Sequence, residues 1–182
     1  MESQEEYSPR PVKDPSLSKT LAKFTQSMKS KKEFEDLFDY EGKDIVVFVY
    51  SSEMEHDFQQ QVVENFKKVA KFFKDSKKAK SLKFVSYDLN QNGPSRKIKL
   101  DVPAMYFSPA FKRDQPLKFF MGDPRVEDMA AYIVKHADVK ISVSTKNLDQ
   151  NLQIQEMVGQ QQEERPNIMD EVERIMKERG EL

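Results

Sequence analysis

The chain has 182 residues, 30 basic and 31 acidic side chains for a formal net charge of -1, 37% hydrophobic residues and no cysteine. That length provides one core of ordinary size with extensions, and the balanced charge provides no global field to attract nucleic acid or an anionic membrane. Without cysteine the chain can form no disulfide, thiol nucleophile, thiolate zinc site or Cys-x-x-Cys redox motif.

The opening segment, residues 1–18, carries Pro9, Pro11 and Pro15 with few large apolar side chains, too few to offset the entropy of ordering, and is expected to be a flexible arm. Apolar residues at Leu21, Phe24, Met28, Phe34, Leu37 and Phe38 then recur at helical spacing and predict two short helices broken near Ser30, with Gly42 ending the second. In the segment Asp44 to Tyr50 the residues after Asp44 are β-branched or aromatic on both alternating sets, the pattern of a strand buried on both faces. After the polar turn 51–57, Val62, Val63, Phe66, Val69, Ala70 and Phe73 mark the inner face of an amphipathic helix with Lys67, Lys68, Lys71 and Lys74 outside. Strands are expected over 82–89, 101–107 and 117–121, and Val126, Met129, Ala130, Ile133, Val134 and Ala137 predict a last helix. The order β-α-β-β-β-α implies a parallel crossover followed by an antiparallel edge pair. The remainder, 141–182, is rich in Gln and Glu. Its apolar stripe, Ile168, Met169, Val172, Ile175 and Met176, follows Pro166 and a capping Asn167. A lone short helix is marginal in water, so this stripe must bury itself on its own domain or on a partner, and the reading adopted is a partner-binding surface.

The segment Val102-Pro-Ala-Met-Tyr-Phe-Ser-Pro-Ala-Phe-Lys-Arg113 and the continuation through Gly122 to Lys135-His136-Ala137 resemble the thioredoxin fold, and within it the catalytic domains of protein disulfide isomerases, over about 33–137. The resemblance implies an α/β domain over 19–140 with a central mixed sheet of about four to five strands flanked by helices, a helical N-terminal lead-in and a helical C-terminal tail. Val46-Val-Phe-Val-Tyr-Ser-Ser-Glu-Met-Glu-His-Asp57 lies without a gap over that family's strand and Cys-Gly-His-Cys motif. Met54 stands at the attacking cysteine and Asp57 at the resolving one, so Met54, Glu55, His56 and Asp57 are degenerate active-site positions in which His56 alone is retained. The family's buried glutamate falls on Phe48 and its accompanying lysine on Ser86. Pro103 matches the family's cis-proline, which implies a cis Val102–Pro103 bond; the preferred reading is an architectural corner rather than a substrate contact.

Other chemistry finds little support. Glu53, Glu55, His56 and Asp57 are carboxylate-rich, but acids at a helix start are favoured by capping and by the helix dipole without a ligand, so neither a metal nor acid–base catalysis is expected. Five scattered glycines make no phosphate loop, and no cofactor is expected. The basic run Lys67 to Lys80 reads first as a solvated helix face, with an acidic protein surface ahead of nucleic acid as its ligand. An acidic, proline-bearing start resembles neither a secretory signal nor a mitochondrial presequence, and Gly180 breaks the pattern of an ER-retention ending. The expectation is therefore a cytoplasmic protein, within a cytoskeletal or organellar assembly, with no membrane insertion. It is read as a redox-inactive, non-enzymatic, thioredoxin-like subunit that binds other proteins through its tail and its N-terminal arm. The alternative is a non-catalytic, disulfide-isomerase-like chaperone for unfolded chains in the ER.

Overall fold

The computed structural model describes residues 7–40, 42–76, 79–98, 102–146 and 148, and the tail stripe Ile168 to Met176 lies outside them. The chain divides into two units, Met1–Lys146 and Asn147–Leu182, of which the first carries the elements described below.

In chain order these are α1 (Pro15–Ala22), β1 (Gln26–Ser27), α2 (Lys31–Asp36) running into a 3-10 turn (Leu37–Asp39), β2 (Asp44–Tyr50), α3 (Asp57–Asp75), β3 (Leu82–Asp88), α4 (Leu89–Asn92), β4 (Ala104–Ser108), β5 (Lys118–Phe119) and α5 (Val126–His136). Among the described residues the strands form one mixed sheet in the order β1-β3-β2-β4-β5. β3 runs parallel to β1 and β2, whereas β4 runs antiparallel to β2 and β5 antiparallel to β4.

β2 is buried at all seven positions, as the apolar run Ile45 to Tyr50 requires of a central strand, with the carboxylate of Asp44 at its start satisfied by backbone amides. Its odd residues, Ile45, Val47 and Val49, pack with Phe34, Phe38 and Tyr87 on the α2 side. On the other side Phe48 stacks on Phe66 of α3 with ring centroids 4.5 Å apart, and α3 packs against both α1 and α5. Phe34, Phe48, Phe66 and Phe107 are all fully buried, and each contributes about 1.5–3 kcal/mol through removal of its surface from water.

Several boundaries differ from the sequence reading, each for a local reason. α1 starts inside the expected arm because Asp14 caps it, accepting from the Ser16 amide and hydroxyl, with Pro15 supplying the preset φ of the first turn. Ser30 is the break expected near it: its hydroxyl accepts from the Glu33 amide (3.0 Å) while Glu33 Oε2 accepts from the Lys29 amide (2.9 Å). The first helix ends at Ala22, and Gln26–Ser27 turn into an edge strand that local periodicity does not show. β3 stops at Asp88, whose carboxylate caps the single turn α4. β4 begins only after Pro103, which has no amide to donate to a ladder, and β5 is held to two residues between Pro116 and the turn at Gly122.

The arm is not loose over its described length. The Arg10 amide donates to Asn90 Oδ1 (2.8 Å) and Asn90 Nδ2 returns a bond to the Arg10 carbonyl (2.9 Å). The Lys13 and Asp14 amides donate to the Ser52 carbonyl, and Gln60 Nε2 donates to Asp14 (3.0 Å). Within the segment read from sequence as a flexible arm, residues 10–14 are thus hydrogen-bonded to the domain, and a buried side-chain amide 80 residues away binds the Arg10 backbone. At the other end the domain continues past 140. Ile141 is buried, and the fully buried carboxylate of Asp44 accepts from the amides of Ala110 (2.8 Å), Asp138 (3.0 Å) and Val139 (3.1 Å).

Candidate functional site: a polar loop beside an apolar cleft

The segment between β2 and α3 is fixed by buried polar groups. Gln59, fully buried, accepts from the Ser51 amide (3.0 Å) and donates through Nε2 to the carbonyls of Ser51 (2.9 Å) and Met54 (3.2 Å). From the other side the Ser52 amide donates to Asp88 Oδ1 (3.0 Å), and Asn90 Nδ2 donates to the Ser52 hydroxyl (3.1 Å). The loop is therefore held by two independent sets of bonds. Gln59 was not singled out in the sequence, although a signal exists: the stripe Val62, Phe66, Val69, Phe73 extended back by three residues places this polar side chain on the buried face.

Met54 is half-buried, and Glu55, His56 and Asp57 are exposed. His56 caps α3, its Nδ1 accepting from the Phe58 amide (3.1 Å), and the ring is thereby engaged in backbone capping. Glu53 pairs with Arg10 at 3.5 Å across the exposed surface. Among the described residues no group of three or more His, Cys, Asp or Glu side chains converges as a metal site.

Beneath the loop, the strand registers place Ser27, Ser86, Phe48 and Met105 in one row across the sheet. Phe48 fills its place with a ring stacked on Phe66 and Tyr50. The Ser86 hydroxyl accepts from Thr25 Oγ1 (2.8 Å) and lies 3.4 Å from that of Ser27. No member of this row can carry a charge, so it offers no proton donor or acceptor of the kind a buried glutamate–lysine pair supplies.

The Val102–Pro103 peptide bond is cis. Pro103 borders an open cleft of about 230 Å³ whose lining includes Phe48, Phe58, Ala104, Met105, Phe119, Phe120, Met121 and Met129, with no charged side chain. Two lining residues project into solvent, Phe58 with 54% and Met121 with 86% of its surface exposed. The cleft draws on β2, the start of α3, β4, β5 and α5, and so Phe58, Phe120 and Met121 were not assembled into a site by local sequence reading. The available signal was the apolar triplet Phe119-Phe120-Met121, which continues beyond what a strand as short as β5 can bury.

The Tyr50 phenol is pushed well above its usual range by burial and by the negative charge of Asp88, which keeps it protonated. Among the described residues no helix is long and apolar enough to cross a membrane.

A scan against protein-family models gives no match, and a sequence comparison with curated proteins gives none either. Solved structures do match. ERdj5 in its crystal form II is 12% identical over 74% of this chain and 18% of that one, with a TM-score of 0.54, and full-length ERdj5 is 13% identical over 66% and 17%, with a TM-score of 0.52. Thioredoxin from Fasciola hepatica is 16% identical over 62% of this chain and 99% of that one, with a TM-score of 0.48. The chain spans 52% of the J-Trx1 fragment of ERdj5 that it also matches, and less than a fifth of the full-length protein. At these identities the likeness establishes architecture alone. The sheet order, the cis-proline corner and the likeness to ERdj5 together give this chain a thioredoxin-like fold, with no cysteine anywhere in the sequence.

Proposed function

We propose that this chain is a non-enzymatic, redox-inactive thioredoxin-fold subunit that binds other proteins, and that it captures an extended polypeptide segment by inserting an apolar side chain into the cleft beside Pro103. The observation that carries this reading is the cleft's composition. A charge-free lining with Phe58 and Met121 exposed at its edge is costly to leave in water unless something covers it. The replacement of a buried acid by Phe48 supports the same reading, since it exchanges proton handling for packing against the cleft. The rigid loop adds to it, because a preorganised edge loses little entropy on binding. On sequence grounds alone, the stripe Ile168, Met169, Val172, Ile175 and Met176 is a second contact with the same or another partner.

Exposed apolar groups at a cleft edge also favour a second reading, a chaperone-like holder of unfolded chains. One assay separates the two. The full chain, Met121→Glu and Phe58→Asp are titrated with a reduced, carboxymethylated unfolded protein and, in parallel, used as bait for stoichiometric partners in extracts of the source cells. The subunit reading expects a defined partner, retained by the parent chain and lost from both variants, with weak binding of the unfolded probe. The chaperone reading expects the reverse. Partner retention unchanged in both variants would remove the cleft from the account.

A further inference from the structure

We propose that a second pocket, at the end of α3 remote from His56, is a docking site for an acidic protein segment that carries an apolar side chain. This inference is independent of the Pro103 cleft. The pocket has a cavity volume of about 310 Å³, with Phe24, Phe73 and Phe84 on its apolar side and Lys74, Lys80 and Lys83 around it. The rings of Phe73 and Phe84 stack with centroids 5.9 Å apart, and Lys74 Nζ stands 5.9 Å from the centroid of the half-buried Phe24 ring while donating to the Lys23 carbonyl (3.4 Å).

The surroundings are segregated in charge. From Lys67 to Lys83 the sequence holds eight lysines against the single acid Asp75, in a chain whose overall net charge is -1. Lys23, exposed just past the end of α1 with its carbonyl bonded to Lys74 Nζ, extends the basic surface. A lysine in the last turn of a helix is explained by the helix dipole, and that accounts for Lys74. It does not account for Lys80 and Lys83, which come from the following loop and strand and border the same cavity. An anionic partner with an apolar group matches both halves of this site. Protein is favoured over nucleic acid because the pocket offers no arginine fork for phosphate and no row of exposed aromatic rings on which successive bases could stack.

The test uses the full chain, and the probe is a fluorescein-labelled peptide with one phenylalanine flanked by glutamates, followed by fluorescence anisotropy. Controls are the same peptide with glutamine for glutamate, the same peptide with serine for phenylalanine, and an oligothymidylate of equal charge. The triple variant Lys74→Glu, Lys80→Glu, Lys83→Glu is checked for an unchanged circular-dichroism spectrum, and Phe24→Ser serves as a second variant that leaves the charges in place. The expected result is saturable binding of the Glu/Phe peptide, weakened about tenfold or more by the triple variant, by the glutamine peptide and by added salt, and weakened also by Phe24→Ser. Equal binding by the triple variant, no saturation up to about 1 mM peptide, or tighter binding of the oligothymidylate would overturn the proposal.

Discussion

Replacing Phe48 by glutamate puts an acid into this row of the sheet, and the structure predicts that it is strongly destabilising in a pH-dependent way. Phe48 is fully buried and stacked at 4.5 Å on Phe66, and its neighbours across the strands are Ser86 and Met105, neither of them a cation. Loss of the ring costs about 3–5 kcal/mol. The new carboxyl, desolvated and unpaired, would have a native pKa raised above its unfolded value of about 4.3. The native state then binds more protons than the unfolded state. Its deficit is smallest at low pH and widens by about 1.4 kcal/mol per pH unit from that unfolded value until the native pKa is passed. The assay is urea unfolding followed by circular dichroism at about pH 5 and pH 8, with Phe48→Leu as a control that loses about 1–2 kcal/mol equally at both. A Phe48→Glu protein no less stable than the control, with no difference between the two pH values, would refute the claim that this row is closed to charge.

Other consequences follow from the same geometry. Asp44→Ala orphans three backbone amides at a fully buried site and should cost about 3 kcal/mol or more in urea unfolding, whereas Ser16→Ala, at the exposed start of α1, should cost less than half of that. Gln59→Leu should leave the fold in place but speed hydrogen exchange at the Ser51 amide, with a stability loss of about 1–3 kcal/mol. The Asp14 carboxyl is held below its ordinary range chiefly by the Ser16 hydroxyl; its contribution is present above the unfolded pKa of about 3.9 and is lost as pH falls through the lower native value, so the destabilisation by Asp14→Ala, about 0.5–2 kcal/mol at pH 7, should vanish in acid. His136, lowered first by desolvation and then by Lys118, Lys135 and Lys112, should titrate below 6.5 by proton NMR, and its stabilising contribution should be full above that value and fall away as pH drops through the native midpoint.

The parts of this fold that were legible from sequence are those where local pattern and tertiary environment agree. β2 is buried on both faces and reads as an unbroken apolar run, and α3 buries one stripe and reads with helical period. β1 was not legible, because two residues join an edge only through the register of β3, a pairing with no local period. The anchoring of the arm was hidden for a related reason, since Asn90 binds the Arg10 backbone from 80 residues away. Asp44 and Gln59 show a third kind of failure: polar residues at buried positions look like exceptions to a pattern until the amides they satisfy are seen. At the site, the expectations at Phe48, Met54 and Asp57 come from one ungapped alignment with a family motif and the one at Ser86 from the following strand, and the structure sets Phe48 and Ser86 side by side in the sheet. The cleft was not, because its walls come from five elements and its exposed Phe58 and Met121 are conspicuous only once the sheet brings them beside Pro103.

The cleft can be tested through its own methionines. Met105, Met121 and Met129 line it, while Met28 is packed in the core on the α2 side of the sheet. Labelling the methionine methyl groups and titrating the full chain with a partner segment, or with an extended apolar peptide as its substitute, should shift the signals of Met105, Met121 and Met129 together and saturably, with Met28 unmoved. Binding that leaves the three cleft methyl groups in place, or that moves Met28 instead, would contradict a protein-binding site beside Pro103.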